Sequence, residues 1–331
     1  MPKRMSRKRV ASPRKKATHA SVADERSTLD KQINEENDRR VQEYARMMAI
    51  MKSRGVKGLT PSKTAKATSR AGGAAARLTR AGGGQPLQIF AEGDSWFDYP
   101  VPLFGGGIVP RLERRLGVPI LSLARAGDEV RNMLGVEERQ ILTQQLGNGS
   151  PAGGKWDVLL FSGGGNDIVG DPMALWIQDF NAAVSPASLI SAARFNAALE
   201  LVRAGYEDLI AIRDRLSPST HLVFHGYDFA IPDGRGVCGF GPWMKPTFDL
   251  HSYPTVSSAT AVVKAMLLEF AAMLQSLGAS HKGVTVVKTQ GTLPSAASSW
   301  HNELHPSNSG FEAIATVFQA TLKGLFPGRV L

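Results

Sequence analysis

Residues 87–98, Leu87-Gln88-Ile89-Phe90-Ala91-Glu92-Gly93-Asp94-Ser95-Trp96-Phe97-Asp98, decide how the rest of the chain is read. The run 87–91 is short, apolar and without alternation, as a strand buried on both faces requires. It ends at Gly93 and a polar turn that carries Ser95. Four similar runs follow, at 118–123, 157–161, 221–225 and 284–288, and helical spacing occupies 128–145, 193–216, 256–277 and 307–325. Buried strands alternating with helices predict a five-stranded parallel sheet covered on both faces. Right-handed crossovers make it a doubly wound three-layer α/β/α sandwich. Two stretches, 171–191 and 228–255, are left over after strand ends. Ligands bind at the carboxyl edge of such sheets, so these are candidate pocket walls or lids.

The 331 residues are 43% hydrophobic and 21% charged, the composition of an ordinary globular protein rather than a disordered chain. The most apolar helical stretch, 259–274, is interrupted by Lys264 and Glu269, so no transmembrane segment is expected. The single cysteine, Cys238, excludes an internal disulfide and a Cys-based zinc cluster. No His-Glu-x-x-His and no P-loop pattern occurs, and neither a metal nor a cofactor is expected.

The net charge of +10 is unevenly distributed. Residues 1–84 hold 21 Lys plus Arg against 7 Asp plus Glu, net +14, whereas 85–331 are net −4. The expected organisation is a basic, partly disordered arm over 1–84 ahead of a folded domain over 85–331. Within the arm, 23–54 reads as one amphipathic helix, with Val41, Tyr44, Met48 and Met51 at helical steps, that could dock on the body, pair with another copy or touch a membrane surface, and 55–84 as a Gly/Ala-rich linker. Such an arm suits an anionic partner, a membrane surface or a nucleic acid, or is simply solvated. The first residues lack the apolar core of a secretory signal, so the expected location is cytoplasmic, or exported without a classical signal peptide. The oligomeric state is not legible.

A serine hydroxyl is a weak nucleophile that needs an adjacent base and donors for the oxyanion it creates. His305, in His301-Asn302-Glu303-Leu304-His305-Pro306, follows the last strand and precedes the final helix, at the same sheet edge as Ser95. Gly127, after the second strand, can offer a backbone N–H, and Asn166, after the third, a side-chain amide. Each has a plainer reading: Ser95 as a helix cap, Asn166 as a turn residue, His305 as a capping or surface histidine.

These blocks resemble the SGNH hydrolases, the GDSL-type esterases and lipases. Gly93-Asp94-Ser95 matches the first block, with Trp96 where many members have Leu; Gly127 matches the second, and Gly164-Gly165-Asn166-Asp167 the third. In the last block His305 and Pro306 match, but Asn302 stands where the family usually has Asp. The resemblance spans roughly 87–326 and implies a flavodoxin-like sandwich and a serine esterase. Ser95 would be the nucleophile, His305 the base, and Ser95, Gly127 and Asn166 the oxyanion hole. Asp167 is expected to be structural, and Asn302 to orient His305 as a neutral group, with Glu303 or an unidentified acid as alternatives. The expected substrate is a small ester or acetylated sugar; a lipid or phospholipid ester and a catalytically weak binding module are the alternatives. Trp96, Phe97, Tyr99, Phe240, Trp243 and Phe248 are candidates for lining an acyl slot, or else are core residues.

Overall fold

The computed structural model describes residues 19–53, 86–99 and 106–330. Five parallel strands, β1 (Ile89–Gly93), β2 (Ile120–Ser122), β3 (Val158–Ser162), β4 (His221–His225) and β5 (Val284–Val287), lie in the order β2-β1-β3-β4-β5. The expected sandwich is the observed fold. β1 and β3 are buried at every position because helices cover both faces, which is why their sequences run apolar instead of alternating.

The helices are α1 (His19–Ser53), α2 (Ile108–Leu116), α3 (Val130–Met133), α4 (Val136–Asn148), α5 (Gly165–Ile168), α6 (Ala192–Leu216), α7 (Lys245–Leu250), α8 (Val256–Ser280) and α9 (Asn308–Leu325). α2 pairs with α9, while α3, α4, α6 and α8 pack as successive neighbours. The single helix expected over 128–145 is two. Gly135 turns the chain extended between α3 and α4, and a Cβ there would meet the carbonyl oxygens of Arg131 and Asn132 at 2.9 Å. α8 is long and apolar enough to cross a membrane, but its Val262, Met266, Phe270 and Leu274 lie in the core.

The chain divides into two compact units, Met1–Arg40 and Val41–Leu331. In the first, Glu36 pairs with Arg39 at 2.6 Å and Arg40 at 3.1 Å. In the second, the end of α1 belongs to the body: Tyr44 is 3% exposed and Met48 fully buried, and Tyr44 packs its ring 5.3 Å from that of Trp156. The compositional boundary at residue 85 is therefore not the edge of packing, because burial follows the apolar face of 41–53 rather than net charge. The expected linker at 55–84, and the residues before 19, lie outside the described residues. Met48→Ala is expected to lower unfolding free energy by about 2 to 5 kcal/mol, the range for emptying a buried Met site. Chemical denaturation checks this, and a change under about 0.5 kcal/mol, the level of surface substitutions, would show that 41–53 adds nothing to the core.

Candidate active site

The turn after β1 is set by a close approach and a buried acid. Gly93 pairs with Ser162 of β3 at φ +158°, where a Cβ would lie 2.6 Å from the Ser162 carbonyl oxygen. Asp94 then folds the chain over: its N–H donates to Ser162 O at 2.9 Å, its Oδ1 accepts from Trp96 N at 3.0 Å, and its carbonyl accepts from Phe97 and Asp98. Ser95 rides on that turn. Asp94 is itself held from two other strands, Oδ1 accepting from Ser162 Oγ at 2.8 Å and Oδ2 from Tyr227 Oη at 2.6 Å. Burial pushes its carboxyl up to about 6, against the opposing pull of those donors.

The loop after β5 brings His305, the expected base, to Ser95. Trp300 bridges Pro306, His301 N donates to His305 O at 2.8 Å, and Ser307 N to Ser299 O at 2.9 Å, closing residues 301–305 into a tight loop. Inside it Asn302 Oδ1 accepts three N–H groups: Leu304 N at 2.9 Å, His305 N at 3.0 Å and His305 Nδ1 at 2.9 Å. The two backbone donors fix the amide, so its oxygen faces the ring and the Nδ1–H tautomer follows. Nε2 is left as an acceptor, 2.7 Å from Ser95 Oγ. Ser95, His305 and Asn302, spread over more than 200 residues of sequence, thus meet in one hydrogen-bonded row. Burial, reinforced by the neighbouring His301, holds His305 down to about 3, so its resting ring is neutral.

Of the remaining expected residues, Asn166 shares a cavity lining with Ser95, and Gly127 lies in the loop after β2 whose Arg125 N donates to Gly93 O at 2.8 Å. Among the described residues, the backbone N–H groups of Ser95 and Gly127 have no acceptor. Asn166 spends one amide hydrogen on Asp128 O at 2.8 Å and keeps the other. Asn166, Ser95 and His305 open onto an apolar cavity of about 40 Å³, walled by Ile168, Val169, Ala230, Met244, Val263 and Met266. Asp167 accepts Val130 N at 2.9 Å and starts α3, a structural task.

Glu303 faces away from His305. It is fully buried and accepts four backbone N–H groups of the 228–255 stretch, from Gly234 (2.9 Å), Trp243 (2.6 Å), Met244 (2.8 Å) and Lys245 (3.0 Å). It pins the wall that supplies Met244. Of the six aromatics, Trp96 lines the cavity and donates Nε1–H to Leu304 O at 3.0 Å, Phe97 and Phe248 are core, Tyr99 stacks on His305, Trp243 meets His305 edge-on, and Phe240 is exposed.

Sequence reasoning missed what lies beneath the serine. Tyr227 N donates to His225 Nδ1 at 3.2 Å, so His225 carries its proton on Nε2 and donates to Ser162 Oγ at 2.8 Å, which in turn donates to Asp94. Burial holds His225 down to about 3, neutral. Tyr227, at a left-handed φ of 57°, links Asp94 to the Asn166 turn through Gly165 N at 2.9 Å. The available signal was a histidine and a tyrosine at the carboxyl end of an otherwise apolar strand.

No family model matches the sequence, and no curated relative matches it. Among solved structures the chain is similar to the lipase Lip_vut3 from a goat rumen metagenome, at 20% identity over 71% of this chain and 96% of that one, TM-score 0.46. It is also similar to an extracellular lipase from Streptomyces rimosus, at 18% identity over 71% and 99%, TM-score 0.44. A third is a carbohydrate esterase family 3 protein from Talaromyces cellulolyticus, at 11% identity over 72% and 97%, TM-score 0.41. What this chain does has to be read from its own site.

Glu303→Ala strands four N–H groups and is expected to cost at least about 3 kcal/mol of stability. Urea unfolding checks the loss, and hydrogen exchange should accelerate at Trp243, Met244 and Lys245. Unchanged exchange there would remove Glu303 as the anchor of this wall.

Proposed function

We propose that the chain is a serine ester hydrolase of the SGNH type, acting on small carboxylic esters such as acetylated sugars. The observation that carries it is the row Ser95 Oγ, His305 Nε2, His305 Nδ1 and Asn302 Oδ1, joined at 2.7 and 2.9 Å. Ser95 Oγ attacks the ester carbonyl carbon as its proton passes to His305 Nε2. The tetrahedral oxyanion is met by the N–H groups of Ser95 and Gly127 and the free amide hydrogen of Asn166. His305 returns the proton to the leaving alcohol, and water repeats the cycle on the acyl-enzyme.

The substitution of Asn for Asp at 302 is compatible with this chemistry. In a serine protease triad the same replacement costs about 10⁴ in turnover, through the wrong histidine tautomer. Here the backbone N–H groups of Leu304 and His305 turn the amide oxygen toward Nδ1, and the productive tautomer is kept. The small acyl group is favoured by the cavity. At about 40 Å³ it exceeds what one water needs. It is well short of the roughly 150 Å³ apolar cavity that takes benzene. A few carbons fill the enclosed part, which favours a short acyl group over a long lipid chain.

Ser95→Ala is expected to abolish both fluorophosphonate capture and p-nitrophenyl acetate hydrolysis. Asn166→Ala should lower kcat by about 10² to 10³ with little change in KM, as for one lost oxyanion donor. Undiminished hydrolysis by Ser95→Ala would end the esterase reading. The pH profile gives a second test. A base held near 3 is unprotonated across the neutral range, so kcat/KM should stay flat down to about pH 4 to 5 before falling. Asn302→Asp sets a carboxylate against Nδ1, favours the imidazolium, and should move that limb up by about 1 to 3 pH units. Asp94, held at about 6, bonds neither Asn302 nor His305, and Asp128 is held at about 7, so a limb near 6 to 7 that ignores Asn302→Asp would belong to one of these acids and not to His305.

A further inference from the structure

The neutral row leaves one requirement unmet: when Ser95 gives up its proton, His305 becomes an imidazolium, and Asn302 has no charge to set against it. The groups facing that ring come from four places. Ser95 arrives on the β1 turn and Asn302 on the ring's own loop, Trp243 stands edge-on from the 228–255 wall at 6.1 Å and 79°, and Tyr99 follows the nucleophile turn. Among the described residues only Tyr99 lies face to face, its ring centroid 4.3 Å from that of His305 with the planes at 26°. The titratable groups nearby are His301, whose charge would oppose the imidazolium, and Arg235, which acts on His301. Among the described residues no carboxylate touches His305.

Tyr99 is also held too carefully for a filler. Asn302 Nδ2, the other end of the amide that orients His305, donates to Tyr99 Oη at 3.1 Å, and the same oxygen is hydrogen-bonded to His301 Nδ1 at 2.6 Å. Both partners belong to the loop that carries the base. The ring is 3% exposed, and burial pushes its hydroxyl up to about 12, so it stays a neutral phenol. A desolvated aromatic face attracts a cation through its quadrupole, and more strongly the drier the site.

We infer that Tyr99 is a positioning residue whose face, clamped on His305 by Asn302 and His301, stabilises the imidazolium formed during acyl transfer, in place of the carboxylate that Asn302 does not supply. The inference rests on the esterase reading. It makes the Asn302 substitution and Tyr99 a coupled pair: the ring should matter where residue 302 is neutral and matter less where it is charged.

The test weakens the face without changing its shape. Tyr99→Phe removes the hydroxyl and keeps the ring; mono-, di- and trifluorophenylalanine at 99 then drain the ring's negative face stepwise. Turnover of p-nitrophenyl acetate by the full chain should fall progressively along the fluorinated series, on the order of 10-fold in kcat in total, with KM nearly constant. In an Asn302→Asp background the series should flatten to within about 3-fold, because a carboxylate then carries the stabilisation. A flat series with Asn302 in place, or an equally steep one in the Asn302→Asp background, overturns the inference. Capture of the unsubstituted protein by a fluorophosphonate separates this from failure of the esterase reading. If that capture fails, NMR titration of His305 with Asn302 in place, with and without trifluorophenylalanine at 99, still decides it: the fluorinated ring should lower the His305 pKa, and an unmoved pKa overturns the role.

Discussion

The site depends on one buried carboxylate. Asp94 accepts from Trp96 N on its own turn, from Ser162 Oγ on β3 and from Tyr227 Oη beyond β4, so it ties together the carboxyl ends of three neighbouring strands. A carboxylate out of water is costly unless its lone pairs are satisfied, and these donors offset that cost. The position of Ser95, the next residue, is then set by the sheet itself. His225 beneath, neutral and donating through Ser162, extends the same constraint into the core without adding a charge.

The same device recurs in other loops at the carboxyl edge of the sheet. Strand ladders satisfy their own N–H groups, but the loops at the carboxyl edge have N–H groups with no ladder to join. Glu303 takes four of them in the 228–255 wall, Asp228 takes those of Phe229, Gly291 and Leu293 at 2.7 Å, and Asp167 takes that of Val130. Acids that resemble catalytic candidates in a list of titratable residues are thus mostly loop anchors. The residue that does face His305 is an amide. A neutral orienter spares the buried histidine an adjacent charge at rest and still dictates its tautomer, since two backbone N–H groups leave the amide a single orientation.

The fold class was legible because it rests on local pattern: short apolar runs such as 157–161 have no polar face to offer solvent, and only a sheet covered on both sides accepts them. Ser95, Gly127, Asn166 and His305 were legible for a related reason, since each follows a strand and parallel strands deliver their carboxyl ends to one edge. The break at Gly135 was not legible. The helical spacing continues across it, and only the approach of the Arg131 and Asn132 carbonyls calls for a glycine. Nor was the role of residues 41–53, because charge counting assigns them to the arm while Met48 and Tyr44 are decided by what they meet.

The sequence by itself determined which elements form and which polar residues reach the sheet edge, because backbone periodicity and strand direction are properties of neighbouring residues. Tertiary structure alone decided which groups touch there. Whether Asn302 or Glu303 faces His305 turns on the closing of the 301–305 loop, adjacent residues pointing to opposite sides of it. That Tyr99 lies against the His305 ring, and that Ser162, His225 and Tyr227 stand under Ser95, depends on contacts between segments 63 to 202 residues apart, for which no local spacing carries a signal.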